Sequence, residues 1–171
     1  MKKLILILLC GLLLSGCVFS TTLPDEQLIQ KPTTPLTESA PPDKIYIAQP
    51  IQITIYHGND NADGFETLEV TVDVLDASVI TQKLVEAGVL AEGTTLLSHE
   101  IVDTCLRLDF NEAFLTHLNT TGTSGERMMI GSVVNTFLTA YPEAESVSIT
   151  ANGEIMESGH VIYDFELTFF E

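Results

Sequence analysis

Leu106-Arg107-Leu108-Asp109-Phe110, then Thr123-Ser124-Gly125-Glu126 leading a helical run to Tyr141-Pro142, then Ser146-Val147-Ser148-Ile149-Thr150-Ala151, is the stretch that decides the fold. Leu106, Leu108 and Phe110 alternate with Arg107 and Asp109, the period of a strand with one face on a core and one in water. Thr123 to Glu126 has the spacing of a capping box, in which hydroxyl and carboxylate each satisfy a backbone N–H of the first turn, so a helix is predicted to begin at Thr123. Ile130, Val133, Val134, Phe137, Leu138 and Tyr141 recur at helical spacing and require one buried stripe. Pro142 ends the helix, because proline lacks the next N–H and disfavours helical backbone in the residue before it. Val147, Ile149 and Ala151 then alternate with Ser146, Ser148 and Thr150, and Asn152-Gly153 suits a tight primed turn. A strand, a helix and a second strand that pack on one another are predicted.

Outward from this unit the pattern continues in both directions. Downstream, Tyr163, Phe165, Leu167 and Phe169 alternate, which predicts a last strand with one buried face, or an edge that pairs with a neighbouring subunit. Upstream, Asn111 is placed to cap a short turn carrying Ala113, Phe114 and Leu118, and Thr94 to Val102 reads as a strand. Asp76 and Ser78 can cap a helix over 77–87, with Ile80 and Leu84 on one face and Gly88 as its stop. Ile51, Ile53 and Ile55 mark a first strand; Leu68, Val70, Val72 and Val74 mark a second over 67–75, and the two are predicted to pair as an antiparallel hairpin. The fold class is α+β, a small mixed or antiparallel sheet packed against two helices.

The hairpin loop, His57-Gly58-Asn59-Asp60-Asn61-Ala62-Asp63-Gly64, imitates the start of a calcium loop at Asn59, Asn61 and Asp63, with a glycine to make the turn. The twelfth position from Asn59 is Val70 rather than a bidentate glutamate, and the first is Asn rather than Asp. The loop is therefore read as a turn-rich hairpin connection, with no metal site assigned.

The front of the chain has a different logic. Met1-Lys2-Lys3 is a basic head, Leu4 to Leu14 an apolar run too short to span a bilayer, and Leu14-Ser15-Gly16-Cys17 closes it. That tetrad resembles the lipobox of bacterial lipoproteins, which implies removal of residues 1–16, lipid on the Cys17 thiol and anchorage to the outer face of the cell membrane. Two or more acyl chains hold a protein stably, at about 0.8 kcal/mol per buried CH2. Residues 17–44 hold Pro24, Pro32, Pro35, Pro41 and Pro42 among Thr, Ser, Gln and Glu, the composition of a disordered or extended spacer. At roughly 3 Å per residue when extended, such a spacer lifts a domain several nanometres off the bilayer. The folded domain is assigned to 45–171.

Composition narrows the function. The chain has 171 residues and a formal charge of −17; removing Lys2 and Lys3 leaves five basic residues against 24 acidic ones, or −19. Such a charge repels phosphate backbones and anionic headgroups, so nucleic acid is not expected as a partner. Cys10 lies in the signal and Cys17 carries lipid, which leaves Cys105 without an intrachain disulfide partner; it reads as a small side chain in a strand rather than a nucleophile. There is no Gly-x-Ser-x-Gly, no phosphate-binding glycine loop and no Cys-x-x-Cys, and His99-Glu100 lacks a second His at metalloprotease spacing. His57, His99, His117 and His160 are scattered. No catalytic residue and no cofactor are assigned.

Four segments together resemble the GerMN domain of sporulation and spore germination proteins: Gly93-Thr94-Thr95-Leu96-Leu97, Leu106 to Phe114, Val133-Val134-Asn135-Thr136-Phe137-Leu138, and Val147 to Gly153. The resemblance covers Ile51 to Ile162. It implies a non-enzymatic α+β domain related to ring-building motifs and serving as an extracytoplasmic scaffold or protein-interaction module. Its partners would be the membrane, through Cys17, and an envelope protein or a second copy. The sequence departs from the family pattern before Leu106, where Asp103-Thr104-Cys105 stands in place of an expected glycine, and it holds one copy where the family's namesake carries two. The alternative from another class is a solute- or cation-binding lipoprotein using the acidic loop at Asp60 and Asp63.

Overall fold

The computed structural model describes residues 49–171. The predicted signal, Cys17 and the proline-rich spacer lie outside the described residues. β1 (Ile51–Gly58) and β2 (Phe65–Val72) form the expected antiparallel hairpin, with Ile53 opposite Val70 and Ile55 opposite Leu68. Only part of the apolar stripe read for β2 is used. Ile53, Ile55 and Val72 are buried, whereas Leu68 and Val74 stay about half exposed, because the hairpin rests on its neighbouring helix through β1.

α1 (Ala77–Glu86) starts where the sequence places it. The Asp76 carboxylate accepts from the Ser78 N–H at 2.8 Å, and Gly88 follows the helix at φ +74°, a backbone conformation that costs glycine little.

A second sheet contains β3 (Leu96–Val102), β4 (Cys105–Phe110), β5 (Ser146–Ala151) and β6 (Glu154–Ile155), in that spatial order. β4 and β5 run parallel; the other neighbours are antiparallel. A parallel pair requires a long crossover, which α2 (Glu112–Leu118) and α3 (Gly122–Ala140) supply. The class is α+β, but two sheets and three helices stand where the sequence reading gives one sheet and two helices. The added helix is the turn expected after Asn111, held by Phe114 stacked on Phe110 with ring centroids 4.4 Å apart. Asn152 and Gly153, at φ 53° and 76°, make the primed turn between β5 and β6. In the β3–β4 turn Asp103 adopts φ 56°, the left-handed region that Asp tolerates better than most residues, so the turn forms without the glycine of the family pattern.

α3 departs most from expectation. Its first turn contains no capping box: the Thr121 hydroxyl donates back to Leu118 O at 2.9 Å, and Glu126 is drawn into the interior instead. Every residue from Met128 to Phe137 is buried, not one stripe, since α3 touches both β1 and β5. A Cβ on Gly131 would overlap the Phe65 ring, so the closest approach is made where no side chain intervenes. Two of the polar residues in this stretch are spent on neighbouring backbone, while Ser132 Oγ is buried without a partner. Thr136 Oγ1 accepts from the Tyr56 N–H at 2.9 Å. The Asn135 amide donates to Phe170 O at 2.9 Å and accepts from the Phe170 N–H at 2.8 Å, imitating a rung of β-ladder.

The C-terminal segment is not the continuous strand read from its alternation. Val147 and Leu167 exchange two N–H···O bonds of 2.8 Å, extending the sheet beside β5 at a single bridge. Before it, the chain folds out in a small hairpin closed by Tyr163 N–H to Met156 O at 2.8 Å and Ser158 N–H to Val161 O at 2.9 Å. Tyr163 and Leu167 turn inward, while Phe165 and Phe169 remain 49% exposed. Asn135 pins the end of this segment, so Asn135→Ala is expected to cost about 1–3 kcal/mol in chemical denaturation. It should also abolish amide-exchange protection at Phe170.

Candidate functional site

The sheet has two unlike faces. Leu106, Leu108 and Phe110 of β4 and Val147, Ile149 and Ala151 of β5 point into the core. By alternation Cys105, Arg107, Asp109, Ser146, Ser148 and Thr150 occupy the opposite face. β3 adds Ser98 and Glu100, which pair in register with Asp109 and Arg107. A shallow groove of about 450 Å3 runs along this outer face between Glu100, Arg107, Asp109, Ser148 and Thr150.

Several polar groups of this outer face are bonded to one another. Arg107 Nη1 lies 3.3 Å from Glu100 Oε1, an exposed pair that contributes little to stability. Asp109 Oδ1 accepts from Thr150 Oγ1 at 2.7 Å and from the Gly153 N–H at 2.8 Å. The Ser146 hydroxyl donates to Glu166 Oε2 at 2.5 Å. Toward the C-terminal segment lies a second hollow of about 250 Å3, where Cys105, Arg107 and Ser148 meet Ile155, at 60% exposure, and Phe165. The outer face is thus a polar strip flanked by half-exposed apolar side chains.

Three of the segments that carry the family resemblance meet at one end of this sheet. Asn111 stands at the N-cap of α2, yet its side chain does not cap the helix: Nδ2 donates to Gly93 O at 2.8 Å and Oδ1 accepts from the Thr95 N–H at 3.1 Å. Its own N–H donates to Thr95 O at 3.0 Å. Across β4, Asn152 Nδ2 donates to Glu112 Oε2 at 2.9 Å, and the Asn152 N–H donates to Phe110 O at 2.8 Å. Asp109, Asn111 and Asn152 therefore tie the Gly93–Thr95 loop, β4, α2, β5 and the β5–β6 turn into one knot.

The loop residues singled out by sequence are occupied with each other. Asn59 Nδ2 donates to Asp63 Oδ1 at 2.8 Å, the Asp63 N–H donates to Asn59 Oδ1 at 3.2 Å, and Asn61 is exposed. The chain closes the turn through Asn59 N–H to Gly64 O at 2.9 Å, with Ala62 at φ 56°. Among the described residues no three His, Cys, Asp or Glu side chains come together, and no helix is long and apolar enough to cross a membrane. Cys105 is buried. Cys17 lies outside the described residues.

One polar cluster escaped the sequence reading. Glu126, 4% exposed, accepts on Oε1 from the Ser158 hydroxyl at 2.5 Å and from the Tyr163 hydroxyl at 2.6 Å. Burial, the hydrogen bond to Glu126 and that residue's charge all raise the Tyr163 pKa above its ordinary 10.0. Burial likewise raises Tyr141, with help from Asp76 and Glu143. No local pattern announces the cluster, because the donors come 32 and 37 residues after the acceptor.

Two expectations follow from these bonds. Asn111→Ala, which strips both ties to the Gly93–Thr95 loop, should lower unfolding free energy by about 1–3 kcal/mol, and Asn111→Asp should recover only part of it because Asp cannot donate to Gly93 O. Tyr163 stays protonated in the folded chain where the unfolded chain begins to ionise near 10.0. Its contribution is therefore complete below that pH and lost as pH rises through the higher folded value. Tyr163→Phe should flatten the alkaline fall in stability measured by denaturation across that range.

The family model described as Germane, sporulation and spore germination, matches residues 54–157, more than half of the 171-residue chain. The first GerMN domain of the sporulation protein GerM from Bacillus subtilis superposes with a TM-score of 0.53 at 19% identity, over 69% of this chain and 97% of that one. The tandem GerMN domains of the same protein match at 20% identity and TM-score 0.48, over 78% of this chain and 50% of theirs, so the chain spans half the length of that tandem structure. A Clostridium perfringens protein described as a "putative lipoprotein" matches at 18% identity and TM-score 0.44, over 70% of this chain and 87% of that one. No curated protein matches. With the fold of a GerMN domain and the family pattern over residues 54–157, the chain belongs to the Germane family of sporulation and spore germination.

Proposed function

We propose that the chain is a non-catalytic interaction module of the cell envelope. Lipid on Cys17 holds it to the outer face of the membrane, and the outer face of its four-stranded sheet engages an envelope protein or a second copy. The observation that carries this reading is the composition of that face. Glu100 is bonded to Arg107 and Asp109 to Thr150, an arrangement that suits a surface for association better than a site for bond-making. Ile155 and Phe165, about half exposed beside the groove, are the apolar anchors that a protein interface requires and that a solvated sheet face does not. The family supplies the setting of sporulation or spore germination. The charge of −17 favours a partner with a basic or neutral surface.

In-cell crosslinking followed by mass spectrometry tests the proposal. Reproducible self-crosslinks or envelope-protein adducts are expected from the natural chain, with several-fold loss in the double variant Ile155→Ser/Phe165→Ser at equal abundance. Cys17→Ala is expected to release the protein from the membrane fraction. Adducts unchanged in the double variant would exclude this face, and membrane retention of the processed Cys17→Ala chain would exclude the lipid anchor.

A further inference from the structure

α3 and the C-terminal segment enclose an apolar pocket of about 340 Å3, lined by Ile130, Leu167 and Phe170, by the exposed Arg127 and His160, and by Glu126. The polarity around the carboxylate is set by its donors. Ser158 Oγ accepts from the His160 N–H at 3.1 Å and the Val161 N–H at 3.0 Å, so its one proton is directed to Glu126 Oε1 at 2.5 Å. The Tyr163 phenol donates to the same oxygen at 2.6 Å. Oε2 receives no hydrogen bond among the described residues. Among the described residues the ion pairs are Lys83 with Glu86 and Arg107 with Glu100, and neither involves Glu126. Arg127, next to it in sequence, directs its guanidinium to Glu171 O at 3.2 Å.

Oε1 is thus taken by two donors, while Oε2 is not sealed off and stands as an open acceptor beside the apolar wall of the pocket. We propose that this pocket binds a primary amine, its ammonium group on Glu126 Oε2 and its apolar stem along Ile130, Leu167 and Phe170. The volume lies in the range of small-ligand pockets, about 300–1,000 Å3. The combination of an apolar wall with one convergent charged acceptor selects an alkyl-ammonium group over an alcohol or a carboxylate of equal length. The acidic surface of the whole chain favours the approach of such a cation.

The test is a titration of the full-length chain with pentylamine, pentan-1-ol and pentanoate, followed through the methyl resonances of Ile130 and Leu167. Pentylamine is expected to give saturable shifts, the other two none, and Glu126→Gln to weaken amine binding at least tenfold while keeping an acceptor for Ser158 and Tyr163. Val161→Phe, which fills the pocket from its wall and leaves the carboxylate in place, is expected to abolish the shifts and serves if the Gln variant does not fold. A peptide, acetyl-Gly-Lys-Gly-amide, identifies the source: the same shifts point to a lysine of a protein partner, and their absence beside a pentylamine response points to a free amine. Equal responses to the amine and the alcohol, no response to pentylamine, or binding that survives both variants would overturn the proposal.

Discussion

α3 is buried on all sides from Met128 to Phe137, and the rest of the domain is arranged around that constraint. In a helix touching both sheets an unpaired polar side chain is costly; Thr136 and Asn135 avoid that cost as backbone partners for β1 and the C-terminal segment, while Ser132 Oγ stays without a partner. Gly131 lets the Phe65 ring come close, and Glu126 collects hydroxyls from a segment more than thirty residues away. Loss of any one of these ties would open a buried surface. The helix therefore acts as the central post on which two sheets and an irregular tail are assembled.

Much of this architecture is legible in the residues. Alternation at Leu106–Phe110 and Val147–Ala151 marks two strands, and the helix between them makes their pairing parallel. Asp76 before α1 and Asn152-Gly153 after β5 behave as their local chemistry dictates. What the sequence hides is long-range competition for side chains. Glu126 has capping-box spacing, but Ser158 and Tyr163 offer it two donors inside the protein and win. Asn111 sits at an N-cap, yet the Gly93–Thr95 loop takes both ends of its amide. The alternation from Tyr163 to Phe169 is that of a strand, but Asn135 and Val147 each claim only one point of the tail, and the span between them bends away.

The same distinction governs the outer face of the sheet. A strand alternation specifies that one face is polar, but it does not say that Asp109 and Thr150 will bond across strands or that Ile155 and Phe165 will flank the result. Those neighbours come from β6, which is two residues long, and from the C-terminal segment, whose strand-like alternation misstates its path. The result is a polar strip with half-exposed apolar borders. The knot of Asp109, Asn111 and Asn152 at its end keeps that surface in shape.

The most direct measurement of this account is site-specific photocrosslinking in native membranes, with the reactive side chain at Ser148, in the middle of the outer sheet face, or at Gln82, on the exposed side of α1. A discrete protein adduct from position 148 and none from 82 is the expected result. Position 148 remaining free, or both positions yielding the same diffuse products, would contradict a partner-binding role for the sheet.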